Sequence, residues 1–285
     1  MNEKITIGQS SATVVARSIN AVGDVITSWE LEFPRFITPE ILRHRSFSFC
    51  QQSSRATPTK VLLDQVRNNP AFFDELGVNK SGMTADETLT PSKARLFELA
   101  WMGQANIAAN FAEEWAAKGV HKQVINRILE PFMRTKMLVT ATDTDGFFRQ
   151  RISKLAQPEI RNLAKAMLEA RNRTEPEDRC EHIPYDFAFT EEDYGERIIR
   201  GVAASARVCV GRHDGKPSTY EQDWKLVKML FDNNHMSPFE HVAFREYLDA
   251  KWANLRGWRS MRNRIESESR KQVERWIDEL NPNDA

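Results

Sequence analysis

The chain has 285 residues, of which 41% are hydrophobic and 28% charged, a composition typical of an ordinary folded protein. Its formal net charge is zero, which argues against nucleic-acid binding through a global basic field, and no run of about 18 apolar residues could cross a membrane. Cys50, Cys180 and Cys209 are far apart in sequence, which predicts reduced thiols in a cytoplasm, and the first residues lack the apolar core of a signal peptide.

The hydrophobic pattern predicts a single helix-rich α+β domain over residues 1–285 with a modest β-sheet. Residues 24–33 alternate, which places Val25, Thr27, Trp29, Leu31 and Phe33 on one face of a strand. Other helices are predicted at 61–68, 92–118, 160–168 and 219–230, from a capping box at 190–193 to residue 209, and from residue 260 onward. The pattern also predicts a helix broken by Pro131, a strand over 135–142 and a charged surface loop over 171–187. Residues from about 250 to 285 form an Arg-rich, helical C-terminal extension in this prediction.

Within residues 92–118, bulky and small apolar residues recur at helical spacing. We interpret this stripe as core or subunit interface rather than as a flavin-binding surface. Its members are Phe97, Trp101, Ala105, Ala108, Ala112 and Trp115.

The segment over residues 38–58 contains closely spaced basic and hydroxyl side chains that could bind a ligand. Thr38 is predicted as the N-cap of a short helix that carries Arg43, His44 and Arg45 at its far end. Successive helical residues point about 100° apart, so these side chains fan out toward neighbouring groups. The Ser53–Arg55 turn adds hydroxyls, backbone N–H groups and a guanidinium suited to phosphate. An exposed basic helix end that binds nothing is the alternative for an isolated Arg-His-Arg.

Arg43-His44-Arg45, followed after seven residues by Ser53 and Arg55, resembles the signature of flavin-dependent thymidylate synthases. Four further blocks resemble the same family. They are Asn126-Arg127-Ile-Leu-Glu-Pro131, the run from Phe147 through Arg151 to Ala156-Gln-Pro-Glu-Ile160, Ser205-Ala-Arg207-Val-Cys209 and His235-Met-Ser-Pro-Phe-Glu-His241.

The order of these blocks differs from that of usual family members. There, the blocks matched here by residues 205–209 and 235–241 precede Arg-His-Arg, whereas here they follow every other block. The resemblance therefore implies the family fold in circularly permuted form, an order that also resembles phage-like members. Permutation is tolerated where the original ends lie close together.

The resemblance also implies roles for individual residues. Catalytic roles fall to Arg151, which reads the pyrimidine ring, and to His241 and Arg43. Substrate binding falls to Ser53, Ser54, Arg55, Arg127, Arg151 and Glu40, with Arg127 reaching the phosphate from a neighbouring subunit. Flavin contacts fall to Arg43, His44, Arg45, Gln51, Thr140, Cys209 and His241. No metal site is expected.

Several positions depart from the family pattern. Glu40 replaces a Gln, Cys50-Gln51 replaces Asn-Glu, and Ala56 replaces a Tyr. Thr140 and Gly146 stand where the family has flavin-contacting Asn residues, and Cys209 replaces a Ser. These departures touch the flavin contacts more than the nucleotide contacts.

The function implied by the resemblance is methylation of dUMP to dTMP. Methylenetetrahydrofolate would supply the carbon, reduced FAD the hydride and NADPH the electrons that reduce FAD. A homotetramer with sites shared between subunits is expected, in a cytoplasm, or in a host cytoplasm if a phage encodes the chain.

Two alternatives stay open. Glu40 could accept from a cytosine amino group, which favours a related enzyme that acts on dCMP or hydroxymethylates a pyrimidine deoxynucleotide. The departures and the C-terminal arginines at 256, 259, 262 and 264 are also consistent with an inactive relative that binds nucleotides or single strands.

Overall fold

The computed structural model describes residues 3–188, 193–210, 217–246 and 250–282. Its main sheet has the strand order β1-β2-β3-β5-β4, with antiparallel neighbours, and β6 pairs in parallel with β2. These strands are β1 (Ile5–Ile7), β2 (Ser10–Ile19), β3 (Val25–Pro34), β4 (Ser48–Gln51), β5 (Arg134–Ala141) and β6 (Glu177–Asp178).

Helices pack on both faces of this sheet. The α-helices are α1 (Thr38–Leu42), α2 (Thr59–Asn68), α3 (Pro91–Ala117), α4 (Lys122–Ile125), α5 (Asp145–Arg151), α6 (Pro158–Asn172), α7 (Tyr194–Val210), α8 (Tyr220–Asp232), α9 (Met261–Ser267) and α10 (Arg270–Glu279). Short 3-10 helices span Arg35–Ile37, Asn126–Phe132, Asp186–Ala188 and Ser237–Glu240. Small strands complete the fold: β7 (Glu181–His182), β8 (Ala243–Arg245), β9 (Lys251–Trp252), β10 (Leu255–Arg256) and β11 (Trp258–Ser260). The predicted α+β class is confirmed.

Helix α6 covers one face of the sheet. Trp29, Leu31 and Phe33 on β3 are fully buried in this core, as their alternation predicts, and the Trp29 indole N–H donates to the Met167 carbonyl at 3.1 Å. Burying side chains of this size contributes roughly 2–3 kcal/mol each. The strand predicted over 24–33 is therefore confirmed, and it aligns the sheet against α6.

The opposite face of the sheet is covered by late segments of the chain. Ile26 on β3 is buried against Ala243, Leu255 and Trp258. A second apolar core joins α7 and α8 to α9 and α10. Residues after 250 therefore belong to the packed fold, and they begin with strands rather than with helix alone.

The arginines of this C-terminal segment have partners inside the chain. Arg256 pairs with Asp24 at 2.9 Å and Arg262 with Glu240 at 2.6 Å. Arg259 lies over the ring of Trp252, and Arg264 likewise stacks on an aromatic ring. These contacts weaken the argument from the arginines for single-strand binding.

Some local predictions are wrong. Thr38 is the first residue of α1 rather than its N-cap, and the helix ends at Leu42, before His44 and Arg45. The segment over 171–187 is not an irregular loop, because it holds β6 and β7. The sequence reading also missed β1 and β2, which contribute to the buried sheet.

Helix α3 confirms the predicted helix but divides the predicted stripe. Ala105, Ala108 and Ala112 are buried, whereas Phe97 and Trp115 are 40% and 39% exposed. Further exposed apolar side chains on α3 are Leu96, Leu99, Ile107 and Phe111.

Within the described residues, no helix is both long and apolar enough to cross a membrane.

Candidate active site around the signature segment

The Arg-His-Arg motif lies in the turn after α1. Arg43 is the C-terminal cap residue of the helix, and Arg43 and Arg45 are exposed while His44 is partly buried. The three side chains therefore diverge from a turn that joins α1 to β4.

Arg151 connects α5 to this turn. Its Nε donates to Nε2 of His44 at 2.9 Å, and its Nη2 donates to the Glu40 carbonyl at 3.2 Å. Burial and the charge of Arg151 lower the pKa of His44 to about 4, so at pH 7 the ring is neutral and Nε2 keeps the lone pair that accepts this bond. The ring also meets Phe147 edge-on, with 4.8 Å between centroids. The structure thus brings together two predicted site residues from distant blocks.

Glu40 adds an acceptor beside these cations. Its Oε2 is buried and has no hydrogen-bond partner among the described residues. Burial, and then the charge of Arg43, lower the pKa of Arg151, which shows that both guanidinium groups share this region. An unpartnered carboxylate oxygen here can accept a hydrogen bond from a ligand.

Ser54 and Arg127 meet at one carboxylate. The Ser54 hydroxyl donates to Oε1 of Glu130 at 2.6 Å, and Arg127 Nη1 donates to the same oxygen at 2.8 Å. Nη2 of Arg35 lies 3.4 Å from that oxygen. Glu130 therefore gathers three donors at one point, where a phosphate oxygen would compete with it. Arg55 is exposed and makes no hydrogen bond or ion pair with any described residue.

The sequence reading missed three residues of this cluster. Asn126 is fully buried, and its Nδ2 donates to the carbonyls of Ser54 at 2.7 Å and Thr57 at 3.1 Å, which fixes the turn. Asn126 and Glu130 lie within the block that carries Arg127, so that block could have indicated them. Nothing in the sequence singled out Arg35.

Gln51 contributes to the scaffold in this structure. Its Nε2 donates to the Thr38 hydroxyl at 2.7 Å, which ties β4 to the start of α1. The next turn is tied to α7, because the Ser53 N–H donates to the Cys209 carbonyl at 2.8 Å. The block at 205–209 therefore does meet the signature segment.

The prediction that all three cysteines are reduced thiols is wrong. Cys50 on β4 and Cys209 on α7 form a disulfide, with 5.8 Å between their Cα atoms, whereas Cys180 is free and exposed. Two residues 159 positions apart cannot be paired from sequence spacing, and only the packing of α7 on β4 brings them together. The cysteines therefore no longer support the prediction that the protein resides in a cytoplasm.

Thr140 and His241 lie in the interior of the chain. Both are fully buried, and the Thr140 hydroxyl and Nδ1 of His241 are 2.8 Å apart. The Ser237 hydroxyl donates to the Phe49 carbonyl at 2.7 Å, which docks the 235–241 block on β4. The structure joins these residues to the signature strand, but within one protomer it gives neither side chain a surface on which a flavin could lie.

A cavity of about 440 Å³ lies beside the signature turn. Its lining combines cations with the polar loop after β5, namely Arg17, Val25, Thr27, Ala141, Thr142, Asp143, Thr144, Asp145, Arg171, Lys251, Asn254 and Arg256. Nε of Arg17 is buried without a hydrogen-bond partner among the described residues. Four cations against two carboxylates, with a spare N–H donor, fit the phosphates of a dinucleotide cofactor. Gly146 lies just beyond this loop, at the start of α5.

The described residues contain no group of three or more His, Cys, Asp or Glu side chains placed to hold a metal ion.

With this geometry in place, the comparisons identify the family. The family model described as thymidylate synthase complementing protein matches residues 24–177, more than half of the chain. The chain therefore belongs to this family, that of the flavin-dependent thymidylate synthases, whose members use a flavin and a folate. No curated protein matches the chain at a significant level. The matched span includes the signature, Arg127 and Arg151, and it ends before α7.

Proposed function

We propose that this protein methylates dUMP to dTMP, with methylenetetrahydrofolate as carbon donor, FAD as the hydride-delivering cofactor and NADPH as reductant. The observation that carries this proposal is the contact of Arg151 with His44 and the Glu40 carbonyl, because it unites the pyrimidine-reading block with the signature turn. Reduced FAD, when bound, supplies the hydride, and the chain supplies binding, orientation and charge.

Arg151 is the residue we assign to the pyrimidine. Attack by C5 of the ring on the carbon donor requires negative charge on the ring carbonyl oxygens, and a guanidinium stabilises that charge. Its Nε and one Nη are held by His44 and Glu40, so the group is oriented before substrate binds. We assign Arg43 and His241 supporting catalytic roles. Arg43 places a second positive charge in this region. His241 is fully buried and contributes through its contact with the Thr140 hydroxyl on β5.

The phosphate of dUMP is assigned to the Ser53–Arg55 turn. Ser53, Ser54 and Arg55 supply hydroxyl and guanidinium donors, and Arg127 of a neighbouring subunit supplies a second guanidinium. Asn126 holds this turn in place before any ligand arrives. A phosphate would then displace Glu130 from Ser54 without rebuilding the backbone.

The flavin is assigned to the cavity beside the signature turn and to the turn itself. We assign the rim to Arg43, His44 and Arg45, because the hydroxyl of the next residue, Ser46, donates to the Asp143 carbonyl of the lining at 3.2 Å. Arg171 lies on the cavity wall.

Thr140 lies next to Ala141 of this wall on β5, Gln51 fixes β4, and Cys209, which is bonded to Cys50, lies outside the lining. Of the flavin contacts that the resemblance implies, this assignment keeps Arg43, His44 and Arg45, whereas Thr140 and His241 are buried within the protomer and Cys209 is bonded to Cys50.

Subunit assembly is the second part of the proposal. Arg127 is half exposed and is flanked by the exposed side chains of Val124 and Ile128. The exposed apolar side chains on α3 form a further apolar surface. A large exposed apolar surface marks an interface. We infer a homotetramer in which Arg127 reaches the neighbouring subunit's nucleotide. We place this reaction in a cytoplasm, or in a host cytoplasm if a phage encodes the chain.

The late blocks support circular permutation of the family fold. Residues 205–209 and 235–241 follow the matched span, yet both dock on β4 through Ser53 and Ser237. The same site is thereby assembled from blocks in a different chain order.

The test is an anaerobic assay of dTMP formation from dUMP, methylenetetrahydrofolate, FAD and NADPH. Arg151→Ala is expected to lower kcat/KM by about 10²- to 10³-fold, the usual effect of losing a charge-stabilising donor. The matched control is Arg149→Ala, since Arg149 is exposed on the same helix and is expected to change the rate less than about threefold. Absence of dTMP from the flavin-loaded wild type would refute the proposal.

Glu40 supports a second candidate function, action on dCMP or hydroxymethylation of a pyrimidine deoxynucleotide. Its buried, unpartnered Oε2 can accept from the exocyclic amino group of cytosine, which uracil lacks. Parallel assays with dUMP and dCMP, with product mass measured, separate methyl from hydroxymethyl products. Exclusive methylation of dUMP rules this candidate out.

A further inference from the structure

A buried chain of hydrogen bonds crosses the sheet and links two histidines. Nδ1 of His182 lies 3.0 Å from the Ser18 hydroxyl, and its Nε2 lies 2.8 Å from the Ser28 hydroxyl. The Ser28 hydroxyl bonds to that of Thr140, which lies 2.8 Å from Nδ1 of His241. All five residues are buried.

The sheet register explains how this chain forms. Ser28 on β3 pairs directly with Thr140 on β5, so their side chains share the face opposite α6. His182 and His241 reach this face from β7 and from the end of the Ser237–Glu240 turn. His182 belongs to none of the blocks that resemble the family. The interaction exists only because the late segments cover the sheet.

Both histidines are neutral in this setting. Burial lowers the pKa of His182 to about 3, with a further contribution from His241, and burial lowers the pKa of His241 to about 3 against a smaller opposite effect of the Phe49 backbone. A neutral imidazole has one N–H and one lone pair. Each ring can therefore donate from only one nitrogen and accept only at the other.

Counting protons leaves two arrangements in which the whole chain is satisfied. If His241 donates from Nδ1 to Thr140, then Thr140 donates to Ser28 and Ser28 donates to Nε2 of His182, so His182 carries its proton on Nδ1. If every bond is reversed, both rings carry the proton on Nε2. If both rings donate into the chain, one buried hydroxyl proton is left without an acceptor in the chain, at a cost of the order of 1–3 kcal/mol. If both rings accept from it, Ser28 and Thr140 each donate to a ring, and no proton lies between their two oxygens.

The free end of this chain is Nε2 of His241, which is buried and has no hydrogen-bond partner among the described residues. We propose that His182 and Ser28 are positioning residues that set the tautomer of His241, and thereby decide whether its Nε2 presents a lone pair or an N–H toward β4. The coupling itself is a property of the folded chain, and its effect on rate rests on the proposed function.

The first measurement needs no variant. A long-range ¹H–¹⁵N correlation spectrum of the ¹⁵N-labelled full chain at pH 7 reports the tautomer of each histidine. We expect His182 and His241 to be neutral and to share one tautomer, both Nδ1–H or both Nε2–H. Opposite tautomers, or a protonated ring, would overturn the proposal.

Ser28→Ala then breaks the chain at its centre. We expect the tautomers of His182 and His241 to become independent of each other, and kcat for dTMP formation to fall while KM for dUMP stays unchanged. Ser10→Ala is the matched control, because Ser10 is a fully buried serine of the same sheet that lies outside the chain of bonds. Unchanged tautomers in Ser28→Ala would contradict the coupling.

The two hypotheses fail separately. A shared tautomer in a protein that forms no dTMP would uphold the coupling and refute the proposed function. Opposite tautomers in an active enzyme would refute the coupling alone.

Discussion

The disulfide between Cys50 and Cys209 gives the largest predicted effect on stability. It closes a segment with a sequence separation of 159 residues. In the chain-entropy relation, a cross-link over a loop of that length lowers the entropy of the unfolded chain enough to stabilise the fold by about 5 kcal/mol. Cys50 is buried on β4, and α7 covers it, so the bond also ties the signature strand to its neighbouring helix.

The perturbation is reduction by a phosphine, or the double substitution Cys50→Ser with Cys209→Ser. Either is expected to lower the free energy of unfolding in urea by several kcal/mol, up to about 5. Either should also raise KM for dUMP, because the Ser53 N–H bonds to the Cys209 carbonyl at the same junction. Cys180→Ser is the matched control, since Cys180 is free and exposed, and should leave both quantities unchanged.

Thiol alkylation followed by mass spectrometry checks the premise. The unreduced protein should show one reactive thiol after unfolding, and the reduced protein three. Three reactive thiols before reduction, or a urea transition that reductant does not move, would refute the reasoning.

Three further predictions concern the site and its support. Asn254→Ala removes the bonds from Nδ2 to the Ser46 carbonyl at 3.2 Å and the Ser48 hydroxyl at 3.0 Å. Flavin affinity should therefore fall, and the melting temperature should fall because the free energy of unfolding drops by about 1–2 kcal/mol. Arg127→Ala and Arg151→Ala subunits, each inactive alone, should regain up to about a quarter of wild-type activity after mixing and reassembly, because a shared site can take Arg127 from one subunit and Arg151 from another. The free energy of unfolding should fall as the pH is lowered from about 6.5 to about 3, because the buried histidines stay neutral in the folded chain while the unfolded chain binds protons. Each of the two histidines contributes a slope of up to about 1.4 kcal/mol per pH unit.

The first of these has a matched control, and each has a result that would contradict it. Asn233→Ala removes a bond from Nδ2 to the Met229 carbonyl on α8, outside the cavity lining, and should leave flavin affinity within about twofold. An equal loss would show that the effect of Asn254→Ala is not specific to the cavity. Mixed subunits that stay inactive would contradict a shared site. For the acid effect, unfolding is measured at several pH values. Above pH 6.5 the histidines should add no pH dependence to the free energy of unfolding. A free energy of unfolding that stays constant below pH 6.5 would contradict their burial.

The sequence by itself determined the family and those elements whose hydrophobic period is regular. Alternation identified the strand around Trp29, and helical spacing identified α3, because these periods follow directly from backbone geometry. The blocks around Arg43, Arg127 and Arg151 indicated the family, and the matched span confirms it. The resemblance implied that Arg151 and the signature segment share one site, and the structure adds that Arg151 contacts His44.

The tertiary structure alone decided which residues meet. Cys50 and Cys209 looked like isolated thiols, and His182 looked like a residue of a surface loop, because sequence distance carries no information on which segments pack together. Covering the sheet with the late segments placed His182 and His241 in a dry interior, and desolvation there fixed their neutral state. Glu130 joined Ser54 to Arg127 for the same reason: long-range contacts depend on how elements dock, and that is settled by the packing of the whole chain.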